Sequence, residues 1–271
     1  MEVNSICKGY RNYNEDMVVV IKDHLFVISD AATALCEPSH LPTDGVYLNI
    51  KLKEEILNLY KNHKITPKNF IKQMNKVSKR LYRDFVKGHK DIIERYQFPN
   101  ASMAVCLIDV CDVHIFTIGD CCSFIRQKNG KTRFMSDKSI PLMDKKVVEH
   151  YQKEGIYQFE DMYPLLRKNR ALLNENGRRS TFSLYKKPNI KFKHEVYDIR
   201  ELSEVYLCSD GYYDAFEDLK FYKSRKQLFN KKVDLQEVYR LIVDESKKED
   251  TLIKHPRLKK IDDISAIRII F

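Results

Sequence analysis

No run of about 18 consecutive apolar residues occurs in the 271-residue chain, so no segment reads as a membrane-spanning helix. Met1 to Tyr10 lack the basic-then-apolar pattern of a secretory leader, and the expected compartment is therefore the cytoplasm. The seven cysteines include no Cys-x-x-Cys pair, their number is odd, and two are adjacent, at Cys121 and Cys122. That spacing argues against a zinc or dithiol redox motif and predicts reduced, mostly buried thiols. Internal repeats, Gly/Ser linkers and a low-complexity tail are also missing, while apolar segments recur to the last residue. One domain over residues 1–271 is the expectation.

What is present is a chain with 43% hydrophobic residues, enough to bury a large core without disulfides, and a formal net charge of +10. Much of that charge falls on one predicted helix. From an expected N-cap at Thr66, with Pro67 in the first turn, Phe70, Met74, Val77, Leu81 and Phe85 recur at helical spacing up to about Lys87. Lys72, Lys76, Lys79, Arg83 and Lys87 each stand two residues further on, about 200° around the helix. One face is core and the opposite face is basic. Few aromatics interleave the basic residues, so the stripe reads as a solvated face and nucleic acid is not the expected partner.

Short β-rich runs appear at 17–21, 25–29, 103–108, 114–118, 122–126, 204–208 and 264–270, with helical patterns near 49–62, 66–87, 144–154 and 234–247. The strands come in hairpins with helices clustered between them, which predicts an α+β fold with antiparallel sheets. A tight turn around Lys22-Asp23 should bring Asp16 and Asp30 side by side. A second hairpin, turning at Val110-Cys111-Asp112, leads to Asp120 in the same way. Asp210 and Asp214 follow the run 204–208, and Asp262-Asp263 precede the last strand.

Any one aspartate at a strand end is explained by its local turn-forming bonds. Repeated acids at the ends of apolar strands, in a basic chain, call for more. If they converge, they raise one another's pKa unless cations lie between them, and an all-oxygen set suits Mg²⁺ or Mn²⁺.

These residues resemble a known family. Gly9-Tyr10-Arg11-Asn12-Tyr13-Asn14-Glu15-Asp16 is similar to the Gly-x-x-Arg-x-x-Asn-Glu-Asp opening of the bacterial metal-dependent protein phosphatases of the 2C type. Phe26 to Asp30 resembles the family's next strand with its metal-bridging Asp. Thr117-Ile118-Gly119-Asp120 resembles its Gly-Asp block, Leu207 to Asp214 its Ser-Asp-Gly-x-x-Asp block, and Asp262 to Ile267 its closing block. Each motif alone is weak, but five in family order are specific.

The resemblance implies a four-layer α-β-β-α sandwich of two antiparallel sheets, with a binuclear Mn²⁺ or Mg²⁺ site at one end. In it Asp30 bridges both metals and Asp210 and Asp262 complete one. The Ala31 carbonyl, with water-linked Glu15 and Asp16, holds the other, and Asp120, Asp210 and Asp214 frame the weaker third site of some members. It implies hydrolysis of phosphoserine or phosphothreonine in proteins by a metal-activated water, with Arg11 gripping the phosphoryl oxygens through its planar fork. A phosphoprotein substrate and a cognate Ser/Thr kinase are the implied partners. The cysteine-nucleophile alternative fails on spacing, since no cysteine has an arginine six residues later.

The chain departs from the family at several points. Gly-Met-Gly-Gly after the bridging acid is here Ala31-Ala32-Thr33-Ala34, which implies a reshaped loop and a weaker second metal. Asp-Ser-Arg is Asp120-Cys121-Cys122, and Asp-His-Ser is Asp137-Lys138-Ser139, so an imidazole acid is absent from both places. Residues 36–66 and 88–99 carry no part of the resemblance. Two other readings stand beside the active phosphatase: a weak or inactive relative that binds phosphoproteins, and a basic nucleic-acid-binding module.

Overall fold

The structure, a computed structural model, describes residues 1–87, 93–175, 179–184, 186 and 188–271. The chain opens with β1 (Glu2–Lys8), β2 (Asp16–Ile21) and β3 (Leu25–Ala31), followed by α1 (Asp44–Lys61) and α2 (Phe70–Lys87). Next come β4 (Asn100–Asp109), β5 (Asp112–Ile118), β6 (Cys122–Gln127) and β7 (Thr132–Met135). After α3 (Ser139–Gln152) and α4 (Tyr163–Ala171) stand β8 (Phe182–Ser183), β9 (Lys193–Asp198) and β10 (Leu202–Cys208). The chain closes with α5 (Asp210–Glu217), α6 (Arg225–Leu228), α7 (Leu235–Ser246), α8 (Thr251–Lys254) and β11 (Ile264–Ile270).

Every strand pairing is antiparallel. One sheet runs β1-β11-β10-β6-β7; the other runs β2-β3-β4-β5-β9, with β8 against β4. Three apolar clusters show how they stack. Phe26 and Ile28 of β3 join Cys106, Ile115, Ile125, Leu207 and Ile267 in a core between the sheets. Leu25 and Val27, on the other face of β3, pack with Leu48, Leu52 and Ile56 of α1 and Phe70, Met74 and Leu81 of α2. On the far side, Phe124, Tyr206 and Cys208 meet Tyr212, Val238 and Ile242 of α5 and α7. Alternation along each strand thus supplies two cores at once, and the layers are helix, sheet, sheet, helix, as the resemblance implied.

The amphipathic reading of α2 holds: Phe70, Met74, Val77, Leu81 and Phe85 are buried, and Lys72, Lys76, Lys79, Arg83 and Lys87 are exposed. Its start needs correction. The helix begins at Phe70, and Thr66 closes a preceding turn in which its N–H donates to Asn69 Oδ1. The helix predicted at 49–62 begins at Asp44, capped by Thr43, whose hydroxyl accepts from the Val46 N–H. The pattern at 144–154 is the later part of α3, and that at 234–247 is α7.

The strands β1, β7 and β9 escape the periodicity reading because each buries at most one residue, unlike β2, which is also at a sheet edge but buries Met17 and Val19. In β1 only Ile6 is buried, so there is little apolar alternation to detect. All seven cysteines are free thiols, and Cys106, Cys121, Cys122 and Cys208 are buried, as expected. Of the residues outside the resemblance, 36–66 contain α1, whereas 88–92 lie outside the described residues. No helix among the described residues is long and apolar enough to cross a membrane.

Candidate metal centre

The carboxylates are brought together by register and by two close backbone approaches. Across the β2–β3 hairpin Asp16 pairs directly with Asp30, and Asp30 in turn stands opposite Ser102 of β4. The chain leaves β5 through Gly119, at φ +68, a conformation that favours glycine. A Cβ there would lie 2.0 Å from Ser102 Oγ, and that hydroxyl accepts the Asp120 N–H at 3.1 Å. Ser102 therefore fixes Asp120 beside Asp30. Asp210 opens α5 directly after β10, and Gly211 packs so closely on the Asp263 carbonyl oxygen that a Cβ would approach to 2.1 Å. That contact sets Asp262 and Asp263 against the start of α5.

The outcome is that one carboxylate oxygen each from Asp30, Asp120 and Asp210 lie within 4.8 Å of one another. Burial, then the charges of Asp210, Asp16 and Asp120, pushes the Asp30 carboxyl well above the usual range. Asp16 is raised by burial and by Asp263 and Asp210, against an opposing contribution from the Ser265 hydroxyl. Asp120 is pushed up to about 8 by burial and Asp210. Asp210 rises through burial and Asp262, and Asp214, one helical turn later, through burial, Asp218 and Asp210.

A structural observation tests whether cations suit this cluster. Asp16 Oδ2 and Asp210 Oδ1 are buried and have no hydrogen-bond partner among the described residues. An anionic oxygen withdrawn from water without a partner is costly, and a hard divalent ion bound by oxygen ligands removes that cost. The donor set therefore fits Mg²⁺ or Mn²⁺.

The other expected site residues fall around this trio. Glu15 is buried, its carboxylate accepting from the hydroxyls of Thr43 at 2.7 Å and Thr33 at 2.8 Å. Its backbone N–H donates to Asp263 Oδ2 at 2.5 Å, so Asp263 anchors the entry to β2. Ala31 ends β3, where its N–H donates to the Glu15 carbonyl at 3.0 Å. None of Ala31 to Ala34 has a positive φ, so alanine sits in the altered loop without backbone strain. Asp262 has both oxygens engaged, Oδ1 by the Asp263 N–H at 3.0 Å and Oδ2 by Lys259 Nζ at 2.6 Å. Arg11 donates to the Tyr10 and Tyr13 hydroxyls at 2.9 and 2.7 Å, and its guanidinium lies over both rings.

Three residues missed in the sequence complete the surroundings. Asp144 of α3 is pushed up to about 7 by burial and Asp210, with Arg170 and Lys259 opposing. Arg170 of α4 donates to the Thr33 carbonyl at 2.8 Å, and Lys259 donates to Thr33 Oγ1 at 3.0 Å. Thr33 thus ties the altered loop to two cations. Asp144 lies in the helical pattern read at 144–154 and Arg170 in α4, which the periodicity reading does not contain, and neither has a neighbouring residue that marks it as part of a site. Lys259 alone carried a signal, its i, i+3 spacing from Asp262.

No protein-family model and no curated protein matches the chain. Solved structures do. A bacterial serine phosphatase carrying a point mutation aligns over 100% of this chain and 98% of its own, at 14% identity and a TM-score of 0.61. The chain has the fold of the bacterial serine/threonine phosphatases. The phosphatase Stp1 from Staphylococcus aureus aligns over 100% of this chain and 94% of its own, at 14% identity and TM-score 0.56. The catalytic domain of the serine/threonine phosphatase PstP, solved in complex with two manganese ions, aligns over 98% and 96% at 13% identity and TM-score 0.54. The phosphatase fold thus spans the whole described chain, and its acidic trio stands where β3, β5 and β10 end.

Proposed function

We propose that the protein is a metal-dependent phosphoprotein phosphatase that hydrolyses phosphoserine or phosphothreonine. The observation that carries this reading is the convergence of Asp30, Asp120 and Asp210 oxygens within 4.8 Å at the strand ends of a phosphatase fold. In this reading Asp30 and Asp210 hold the central cations, Asp262 completes their ligands, and Asp16, Glu15 and the Ala31 carbonyl support the second. Asp120 and Asp214 frame a further, weaker position. When bound, a pair of Mn²⁺ or Mg²⁺ ions supplies the positive charge that renders a water nucleophilic at neutral pH and offsets the phosphoryl oxygens.

The chain's own residues orient the substrate. Arg11 is preset by two tyrosine hydroxyls, and its remaining guanidinium donors suit the paired oxygens of a phosphoryl group. The partners of this reading are a phosphorylated protein and the Ser/Thr kinase that supplies it, acting in the cytoplasm.

The test is Mn²⁺-dependent hydrolysis of para-nitrophenyl phosphate and of a phosphothreonine peptide. Turnover that appears with Mn²⁺ and vanishes with EDTA supports the reading. Phosphopeptide binding without turnover at any Mn²⁺ concentration would replace it with that of an inactive, phosphoprotein-binding relative.

A further inference from the structure

We propose that Lys259 is a resident cation of this centre that competes with a divalent ion for Asp262, so that metal binding must displace its ammonium. The inference rests on the metal-dependent reading above and adds a residue that the sequence motifs do not contain. Among the described residues, Asp16 and Asp210 each keep a buried oxygen without a hydrogen-bond partner, whereas Asp262, like Glu15, has both oxygens engaged, and of these only Asp262 is engaged by a cation. Its Oδ1 takes the Asp263 N–H, and its Oδ2 takes Lys259 Nζ at 2.6 Å, a charge-assisted contact. A divalent ion bound to that carboxylate would stand close to the ammonium, and the two cations would repel.

Lys259 is not a loosely held surface residue. Its side chain is 15% exposed, its ammonium also donates to Thr33 Oγ1 at 3.0 Å, and it lies 5.5 Å from the centre of the Phe159 ring. Thr33 Oγ1 donates onward to Glu15 Oε2 at 2.8 Å. One hydrogen-bonded path therefore runs from Asp262, before β11, through Lys259 and Thr33 to Glu15, before β2. Arg170 holds the same Thr33 by its carbonyl. Displacing the ammonium breaks both of its bonds and frees the Thr33 loop on one side, a cost that subtracts from metal affinity.

The test is calorimetric titration of Mn²⁺ into the full-length wild type, Lys259→Met and Asp262→Asn, each alone and combined, with thermal melting in EDTA beside it. Lys259→Met should bind Mn²⁺ about tenfold more tightly, the scale of one lost charge-assisted hydrogen bond. Its metal-free melting temperature should fall, because Asp262 loses its counter-ion. In the Asp262→Asn background the same substitution should leave Mn²⁺ affinity unchanged. Where Lys259→Met fails to fold, Lys259→Gln, of similar length and uncharged, gives the same readout. Mn²⁺ binding of equal or lower strength in the Lys259 variants would overturn the competition alone. No Mn²⁺ binding in any of the proteins would overturn the metal reading and the competition with it.

Discussion

Asp16 stands directly opposite Asp30 across the β2–β3 hairpin, with its own Oδ2 buried and unpartnered. Two acids so placed cannot both ionise cheaply without a cation, and they set the protein's response to pH. Asp16 and Asp30 are raised well above the usual range, and Asp120 and Asp144 are raised to about 8 and about 7. Their folded pKa values exceed the unfolded value of about 3.9, so the native state binds more protons between those limits. The stability they contribute is full below about pH 4 and is lost as pH rises through about 7 to 8. The melting temperature in EDTA should therefore fall between pH 5 and pH 8, and saturating Mn²⁺ should flatten that slope. A metal-free melting temperature that rises over the same interval would contradict the arrangement.

Neutralising one acid separates metal binding from folding. Asp30→Asn and Asp210→Asn should each reduce Mn²⁺-dependent turnover below about a hundredth of wild type. The same substitutions should raise the melting temperature in EDTA, because they remove mutual repulsion. Asp262→Asn should also abolish turnover but lower the metal-free melting temperature, since Lys259 then loses its carboxylate partner. Steady-state kinetics and differential scanning calorimetry on the three variants would show this contrast.

Arg11 is positioned by tyrosine hydroxyls and not by the acids, so its role separates from theirs. Arg11→Lys keeps the charge and loses the planar fork. It should lower turnover about tenfold with calorimetric Mn²⁺ affinity unchanged. Wild-type turnover in this variant would remove Arg11 from the site.

Gly119 combines a left-handed backbone with a closely packed Ser102 side chain. Gly119→Ala adds a Cβ where there is no room and should cost about 2–4 kcal/mol, read by urea denaturation. Displacement of Asp120 should accompany it.

The altered loop after Asp30 gives a contrasting expectation. Ala31 is a strand residue without positive φ, so glycine there relieves nothing and should cost about 0.5–1 kcal/mol through backbone entropy. The Mn²⁺ dependence of turnover should not move in Ala31→Gly. A shift towards lower metal would show that the alanine constrains the centre after all.

Hairpins, the amphipathic α2 and the line of strand-end aspartates are legible in the amino-acid order, because alternation, helical spacing and turn residues are local properties. Asp16 and Asp30 become neighbours through one short turn, which is why their pairing could be anticipated from the sequence. The edge strands β1, β7 and β9 were not legible, since each buries at most one residue and so shows little apolar alternation. Asp144 and Arg170 were hidden for a different reason: a polar residue on a helix looks solvated until another element packs over it. Lys259 stands three residues before Asp262, but packing decided that its side chain is enclosed and that Thr33 links it to Glu15. The sequence determined by itself which acids end the strands. Only the tertiary structure decided that Thr33 joins Lys259 to Glu15, because a hydrogen bond between residues 226 positions apart depends on how the layers are stacked.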